Sequence, residues 1–502
     1  MTVINNLPFE LNSDALASWI DSLSASPQVQ AAQQLNQTLK QLKDTECQPA
    51  ELLPVLTSLT PLVLRFSNNI TAFASELKSF DKSRKPAKLA MQLLRQLSLI
   101  FCQLAEQRSL TTSEQQTAIY YALQSIGHCL RSYSLFYETP SATLWKKSAL
   151  LYGLASSHDY LFLNQPIKQA EFKQQPTIET VIKRNLLFCV LLPALYPPNE
   201  INQLFQLSNQ FAPQLIISSS PENCDFGFYW DLNDEAPPCP TRKSRRPLPH
   251  GFLAIDSHSI GLALQQDLSV ANLNRNLQTK LALHLMNYEP VFDSIVPGQT
   301  ARSEFLFGFD DVTAFLSELY RLQRIKQLSG HSKNLNPSKR SLALIPMEHE
   351  KNAFETMSQM LAKTNTISKT GNVLKISHSN YLVAEGSAFD CSSGDIAMFH
   401  RELEPATLAI IRQQSAVSIS NVTHILMEKI TGAYSIYTFK TDDEPHQAIV
   451  IDEDSDYPQV FLPPGKYSVD SKILLTIDES LHLTACLESN SFFARFRFRF
   501  DS

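Results

Sequence analysis

Residues 491–500 read SFFARFRFRF, and the reading of this stretch decides the class of the C-terminal part of the chain. Phe496, Phe498 and Phe500 alternate with Arg495, Arg497 and Arg499. A period of two places the rings on one face of an extended strand and the guanidinium groups on the other. A half-buried strand with a solvated basic face satisfies the pattern; so does a basic strip turned toward a partner. Working backward, short β-type runs recur as far as Val373: VLKISHSNYLVAE, IAMFH, ATLAIIRQQ, HILMEKI, AYSIYTFK, QAIVID, QVFLPP, KILLTID and LHLTACLE. Turns such as Ser393-Gly394-Asp395 and Pro463-Pro464-Gly465 separate them. Short, evenly spaced strands with turn signals predict a β-barrel or sandwich.

The front of the chain has a different period. From residue 12 to about 210, apolar residues recur at i, i+3, i+4 and i+7 in runs such as AELLPVLTSLTPLVLRFSNN and TSEQQTAIYYALQSIGHCLRSYSLF, which is the stripe of amphipathic helices. A stripe of that kind needs helical neighbours to cover it, in a stacked hairpin array or a bundle. Between these regions, LIISSS, DFGFYWDL and HGFLAIDS read as strands, followed by helices near 270–285 and 311–328. A basic linker at 329–341, a strand at 341–346 and a helix at 348–364 complete the reading. The expected fold class is α+β: an all-helical domain over 1–212, a mixed middle domain over 213–345, and a β-barrel domain over 346–502.

Composition narrows function. The chain has 502 residues, 43% hydrophobic and 18% charged, with net charge −6, so a folded protein is expected and an extended nucleic-acid surface is not. Glycine numbers only 13, and neither GxGxxG nor GxxxxGK[ST] occurs, so the commonest phosphate-cradling loops are absent. The N-terminus has no basic run leading into an apolar core, and the apolar run Leu186–Tyr196 is shorter than the ~20 residues a membrane span needs. No secretion and no transmembrane segment are expected. The eight cysteines form no CxxC and no zinc-ligand spacing, which suits a reducing cytoplasm.

Motifs for catalysis do not assemble. Asp225-Phe226-Gly227 stands without the rest of a kinase, and His349-Glu350 meets Ala353 where a zincin needs histidine. No GxSxG occurs. Asp231, Asp234 and Glu235, and the run Asp452–Asp456, read as solvated turns rather than metal sites. A non-enzymatic protein without a metal or cofactor is the expectation. The densest positive charge is Arg242-Lys243-Ser244-Arg245-Arg246 in a Pro-rich loop. Guanidinium forks bind phosphate through paired charge-assisted hydrogen bonds, although such a loop also serves simply to balance the acidic residues before it.

KRNLLFCVLLPALYPPNEINQLFQLSNQFAPQL followed by FYWDLNDEAPPCP, then Ser393–Ala397, LAIIRQQ, ILMEKITG, PPGKYSVDSKILLTI and SFFARFRF, resembles large proteobacterial proteins of PilZ type. In these a helical N-terminal region precedes a PilZ-like β-barrel. The resemblance implies cyclic di-GMP as ligand, held by an RxxxR stretch and a [D/N]xSxxG stretch. The sequence departs from both. In Lys375–Asn380 only Ser377 matches; Asp256–Gly261 has histidine where serine is required; Arg302 has no second arginine four residues away; and Arg242 and Arg246 have the RxxxR spacing far upstream. The resemblance therefore implies Arg242, Arg245, Arg246 and Arg302 as phosphate contacts and Ser377 as a hydrogen-bond donor. The function it implies is a cytoplasmic regulator that relays cyclic di-GMP to a protein partner through the helical region. The alternative is a ligand-free interaction scaffold that has kept only the barrel.

Overall fold

The computed structural model describes residues 7–45, 47–76, 80–163, 176–220, 226–241, 250–266, 273, 275–286, 301–318, 368–375, 381–387, 389–401, 406–417, 422–441, 444–452, 455, 457–465, 467–475 and 480–501. The chain forms two compact units: Met1–Ala194 with Pro198–Asp293, and Ser294–Ser502 with Leu195–Pro197.

The first unit opens with helices α1 (Ser13–Ser24), α2 (Gln28–Asp44), α3 (Pro49–Glu76), α4 (Phe80–Ala105), α5 (Thr112–Leu135), α6 (Ala142–Ser157), α7 (Ile178–Val190) and α8 (Pro198–Phe211). Their starts follow from local chemistry. Asn12 accepts from the Ala15 amide at 2.8 Å, and Thr111 and Glu114 cap each other's backbone N–H groups in a capping box. Every residue of α5 from Ala118 to Leu130 is buried, because α3, α4, α6, α7 and α8 all pack on it. The helices thus form a bundle around α5 rather than an open array. Helix α3 contains an apolar stretch, Pro49–Ala72, long and apolar enough to cross a membrane by length and composition, yet 56% of it is buried inside the unit. Pro54 and Pro61 interrupt its backbone hydrogen bonding.

Where α5, α7 and α8 meet, the core is polar. Arg184 is fully buried. It donates to Asn185 Oδ1 at 2.7 Å, Asn209 Oδ1 at 3.2 Å and Gln124 Oε1 at 2.9 Å, with its guanidinium 4.8 Å from the Phe205 ring centre. Gly127 permits this: a Cβ there would lie 2.1 Å from Asn185 Oδ1. The unit closes with strands β1 (Ile216–Ser218), β2 (Phe228–Asp231), β3 (Cys239–Pro240) and β4 (Phe252–Asp256), in sheet order β1-β4-β2-β3, and helices α9 (His258–Gln266) and α10 (Arg275–Met286).

The second unit begins with β5 (Ala301–Phe307) and a helix, α11, at 309–318. Strands β6 (Lys369–Lys375), β7 (Tyr381–Ser387), β8 (Ile396–Arg401), β9 (Thr407–Val417) and β10 (Val422–Ile430) join β5 in a closed six-stranded barrel, ordered β10-β7-β6-β5-β8-β9. All its pairings are antiparallel. Phe305, Val373, Phe389, Phe399, Ile411 and Met427 are among the residues that fill the lumen, so the barrel interior is a packed core and any ligand must sit on its wall.

The remaining strands make a separate sheet rather than extending the barrel. These are β11 (Tyr434–Thr441), β12 (Glu444–Ile451), β13 (Gln459–Leu462), β14 (Lys472–Leu474), β15 (Ser480–Ser489) and β16 (Ala494–Asp501), ordered β11-β12-β13-β16-β15-β14, with β14 curling round toward β11. The alternation at 495–500 is realised in β16. Phe496 and Phe498 enter the sheet's core, Arg497 and Arg499 are exposed, and Phe500 lies at the margin. Arg495 is not solvated like its neighbours; it lies 5.2 Å over the Phe461 ring and donates to Gln459 Oε1 at 2.8 Å. A second core binds barrel, sheet and helix together: Phe309, Val312, Phe315 and Leu316 of α11 meet Ile396 and Ile410 of the barrel wall and Ile449 and Phe461 of the sheet.

The barrel therefore begins near residue 301, inside the stretch the sequence assigned to a middle domain, and the β-sheet of 216–256 belongs with the helical unit. The linker at 329–341, the strand at 341–346 and the helix at 348–364 lie outside the described residues.

Candidate functional site

Strand β5 runs Ala301-Arg302-Ser303-Glu304-Phe305-Leu306-Phe307. Phe305 faces the lumen, so alternation sends Arg302 and Glu304 to the outer wall. The register continues this polarity across neighbouring strands. Arg302 stands opposite Asn372, Asn372 opposite Glu385, Glu385 opposite His424, and His424 opposite Ser415. One row of polar side chains thus crosses β5, β6, β7, β10 and β9 on the outside of the barrel.

The first part of this row lines an open cleft of about 390 Å³, with Arg302, Thr370, Asn372, Glu385, Ser387 and Val422 around it and Gly371 and Gly386 in its floor. That volume is in the range of small-molecule sites. Asn372 Nδ2 donates to Glu385 Oε1 at 3.3 Å, and His424 Nε2 lies 3.7 Å from Glu385 Oε2. Arg302 is exposed and, among the described residues, makes no hydrogen bond or ion pair. Its charge acts on Glu304: burial raises that carboxyl above its ordinary range and the guanidinium partly offsets the rise. The cleft therefore offers, among the described residues, an exposed cation at one side and a carboxylate with spare acceptor capacity at the other.

The floor explains the glycines. Phe389 lies beneath it, fully buried. A Cβ on Gly386 would fall 2.3 Å from the Phe389 ring, and one on Gly371 would fall 2.6 Å from it. Only residues without a side chain let β6 and β7 pass over this ring.

Phe389 also anchors the turn between β7 and β8. Asp390, Ser392 and Gly394 spell DxSxG, one residue shorter than the [D/N]xSxxG stretch sought at 375–380. The shortening hid it from a search by spacing, and its position directly before a barrel strand is the signal that would have found it. Gly394 has φ +90°, and its carbonyl accepts from Asn490 Nδ2 of the second sheet at 2.9 Å. Asp395 is buried and accepts from the Ile396 amide at 2.7 Å. Burial, together with the nearby Asp390 and Asp311 carboxylates, pushes its pKa up to about 7.

Of the residues singled out in the sequence, Arg302 lies in this cleft. Arg242, Arg245, Arg246 and Ser377 lie outside the described residues. Asp256 proves to be a helix cap, its Oδ1 accepting from the His258 amide at 2.8 Å, while Ser257 donates to the Leu285 carbonyl at 3.0 Å. The acidic residues near 231–235 serve the local fold: Asp231 and Asp234 accept from following amides, and Glu235 pairs with Lys146 at 2.6 Å. No group of three or more side chains placed to hold a metal occurs among the described residues.

A helical front and a closed six-stranded antiparallel barrel with a charged cleft on its wall define the class as α+β with a PilZ-like organisation. Residues 14–222 match the family described as "Cyclic-di-GMP receptor FimW, N-terminal domain". Comparisons with curated proteins and with solved structures gave no match.

Proposed function

We propose that the protein is a non-enzymatic cyclic di-GMP receptor that signals from the cytoplasm to a protein partner. What carries this reading is the union, in one chain, of an N-terminal region that matches the FimW N-terminal domain with a barrel whose outer cleft holds an exposed arginine. Arg302 is the proposed phosphate contact, because a guanidinium grips phosphate oxygens through paired charge-assisted hydrogen bonds. Arg242, Arg245 and Arg246 are further candidate phosphate contacts and Ser377 a candidate donor. Binding would act by population shift, favouring whichever arrangement of the chain closes on the ligand, and the helical region would present that change to its partner. Buried free thiols such as Cys102 and Cys129, both pushed up to about 12 by burial, suit a reducing compartment.

Calorimetric titration of the full chain with cyclic di-GMP is the test. Saturable heat at a dissociation constant on the order of tens of micromolar or tighter supports the reading, and its absence overturns it. The departures from RxxxR and [D/N]xSxxG favour a second reading, a scaffold whose barrel has lost its ligand. That version requires a partner captured by the full chain to bind equally with and without the nucleotide.

A further inference from the structure

We propose that Glu385 selects the base: it accepts from the Watson–Crick edge of a guanine while Arg302 holds the phosphate of the same nucleotide unit, making the cleft selective for guanine over adenine. This inference rests on the cyclic dinucleotide reading above and assigns a residue that neither the RxxxR nor the [D/N]xSxxG stretch contains.

Three observations carry it. First, Arg302 and Glu385 occupy one cross-strand row, with Asn372 between them. Two strand spacings separate their backbones by ~10 Å, a span that sets a phosphate at one side of the cleft and the far edge of its base at the other. Second, Glu385 has polar neighbours on both sides: Asn372 donates to Oε1 at 3.3 Å, and His424 Nε2 stands 3.7 Å from Oε2. Asn372 engages one oxygen, and the carboxylate keeps acceptor capacity to spare. Third, Gly371 and Gly386 line the cleft between these strands with their inward faces against Phe389, and the cleft stays open at about 390 Å³, room for a flat ring.

The chemistry sets the selectivity. Guanine presents two adjacent donors, N1–H and the exocyclic N2–H, and a carboxylate accepts both at once with charge assistance. Adenine presents an acceptor, N1, at the same place, opposed to the carboxylate. A site that satisfies a hydrogen-bonding edge rejects the analogue lacking it more strongly than any shape filter does.

The experiment is calorimetry on the full chain with cyclic di-GMP and cyclic di-AMP, on the natural sequence and on Glu385→Gln, with Asn372→Ala as a second variant. The natural chain should prefer the guanine dinucleotide by about tenfold or more. Glu385→Gln, which swaps one acceptor for a donor, should weaken cyclic di-GMP about tenfold and narrow the preference. Asn372→Ala, which loosens the carboxylate without removing it, should cost about threefold. Equal affinity of the natural chain and Glu385→Gln for cyclic di-GMP overturns the base-selection role and leaves the receptor reading standing. Binding of neither nucleotide by the natural chain overturns the receptor reading, and this inference with it.

Discussion

Arg412 of the barrel grips Glu488 of the second sheet with both ends of its guanidinium, Nη1 to Oε1 at 2.5 Å and Nη2 to Oε2 at 2.9 Å, while its Nε donates to Glu428 at 2.6 Å. The register of β9 against β10 skips Arg412: Leu426 faces Gln413 and Met427 faces Ile411. Arg412 is the extra residue of a β-bulge, and a bulge re-aims the side chain it carries. Both carboxylates raise its pKa further, against the effect of burial. Together with the Asn490–Gly394 hydrogen bond, this pair fastens the sheet to the barrel at the turn that follows Phe389.

Removing one member of such a group is worse than replacing the whole, because the partner charges stay half-buried without the guanidinium. Arg412→Met leaves Glu428 and Glu488 facing each other, and should lower unfolding stability by about 3 kcal/mol. Adding Glu428→Gln and Glu488→Gln to Arg412→Met should restore part of the loss. Denaturant midpoints of the single and triple variants check this. Equal stability of Arg412→Met and the natural chain would show the pair to be unimportant.

The glycine floor makes a steric prediction. Gly386→Ala places a methyl group 2.3 Å from the Phe389 ring, and overpacking of this kind costs about 1–3 kcal/mol. Phe389→Leu alone opens space and should also destabilise. The double variant should be more stable than the sum of the two single losses predicts, since the leucine vacates the volume the methyl needs. Strict additivity in thermal melts counts against contact between these positions.

How much of this could be read beforehand depends on whether the signal was local. The Arg–Phe alternation of 495–500 announced β16 because a half-buried strand writes its period into adjacent residues. Strand β5 gave no such notice. ARSEFLF pairs with β6 some seventy residues later and with β8 beyond that, and only closure of the barrel reveals that it belongs there. The polar row from Arg302 to Ser415 was illegible for the same reason, since register across strands is a property of pairing and not of any one segment. Arg184 misled in the opposite direction. Beside an apolar run it reads as a flanking charge, yet the bundle buries it, because Gln124, Asn185 and Asn209 converge on it from three helices.

Asp395 sets a pH dependence whose sign is fixed. Its carboxyl is harder to ionise in the folded chain, at about 7, than at its ordinary 3.8. Folding therefore favours the protonated form. The stability it contributes is fully present below about pH 4 and is lost as pH rises through about 7, a swing on the order of 4 kcal/mol. Asp395→Asn keeps an oxygen for the Ile396 amide and removes the charge. It should be more stable than the natural chain above pH 7 and should flatten the profile between pH 4 and 7. Unfolding midpoints at several pH values test it, and an unchanged profile in the variant would assign the dependence to other groups.

Arg302 separates a ligand contact from a structural one. Its side chain is exposed and, among the described residues, makes no hydrogen bond or ion pair, so Arg302→Ala should leave the melting temperature where it is, surface changes of this kind usually falling within about 0.5 kcal/mol. Affinity for cyclic di-GMP should nevertheless drop by about tenfold or more, the size of one lost charge-assisted contact. Arg302→Lys should recover only part of it, because an ammonium carries the charge but cannot form the two-pronged bond. Raising salt from 50 to 300 mM should weaken the natural chain more than Arg302→Ala, since screening acts on the charge the variant has already lost. A variant that binds as tightly as the natural chain at every salt concentration would move the phosphate elsewhere on the protein.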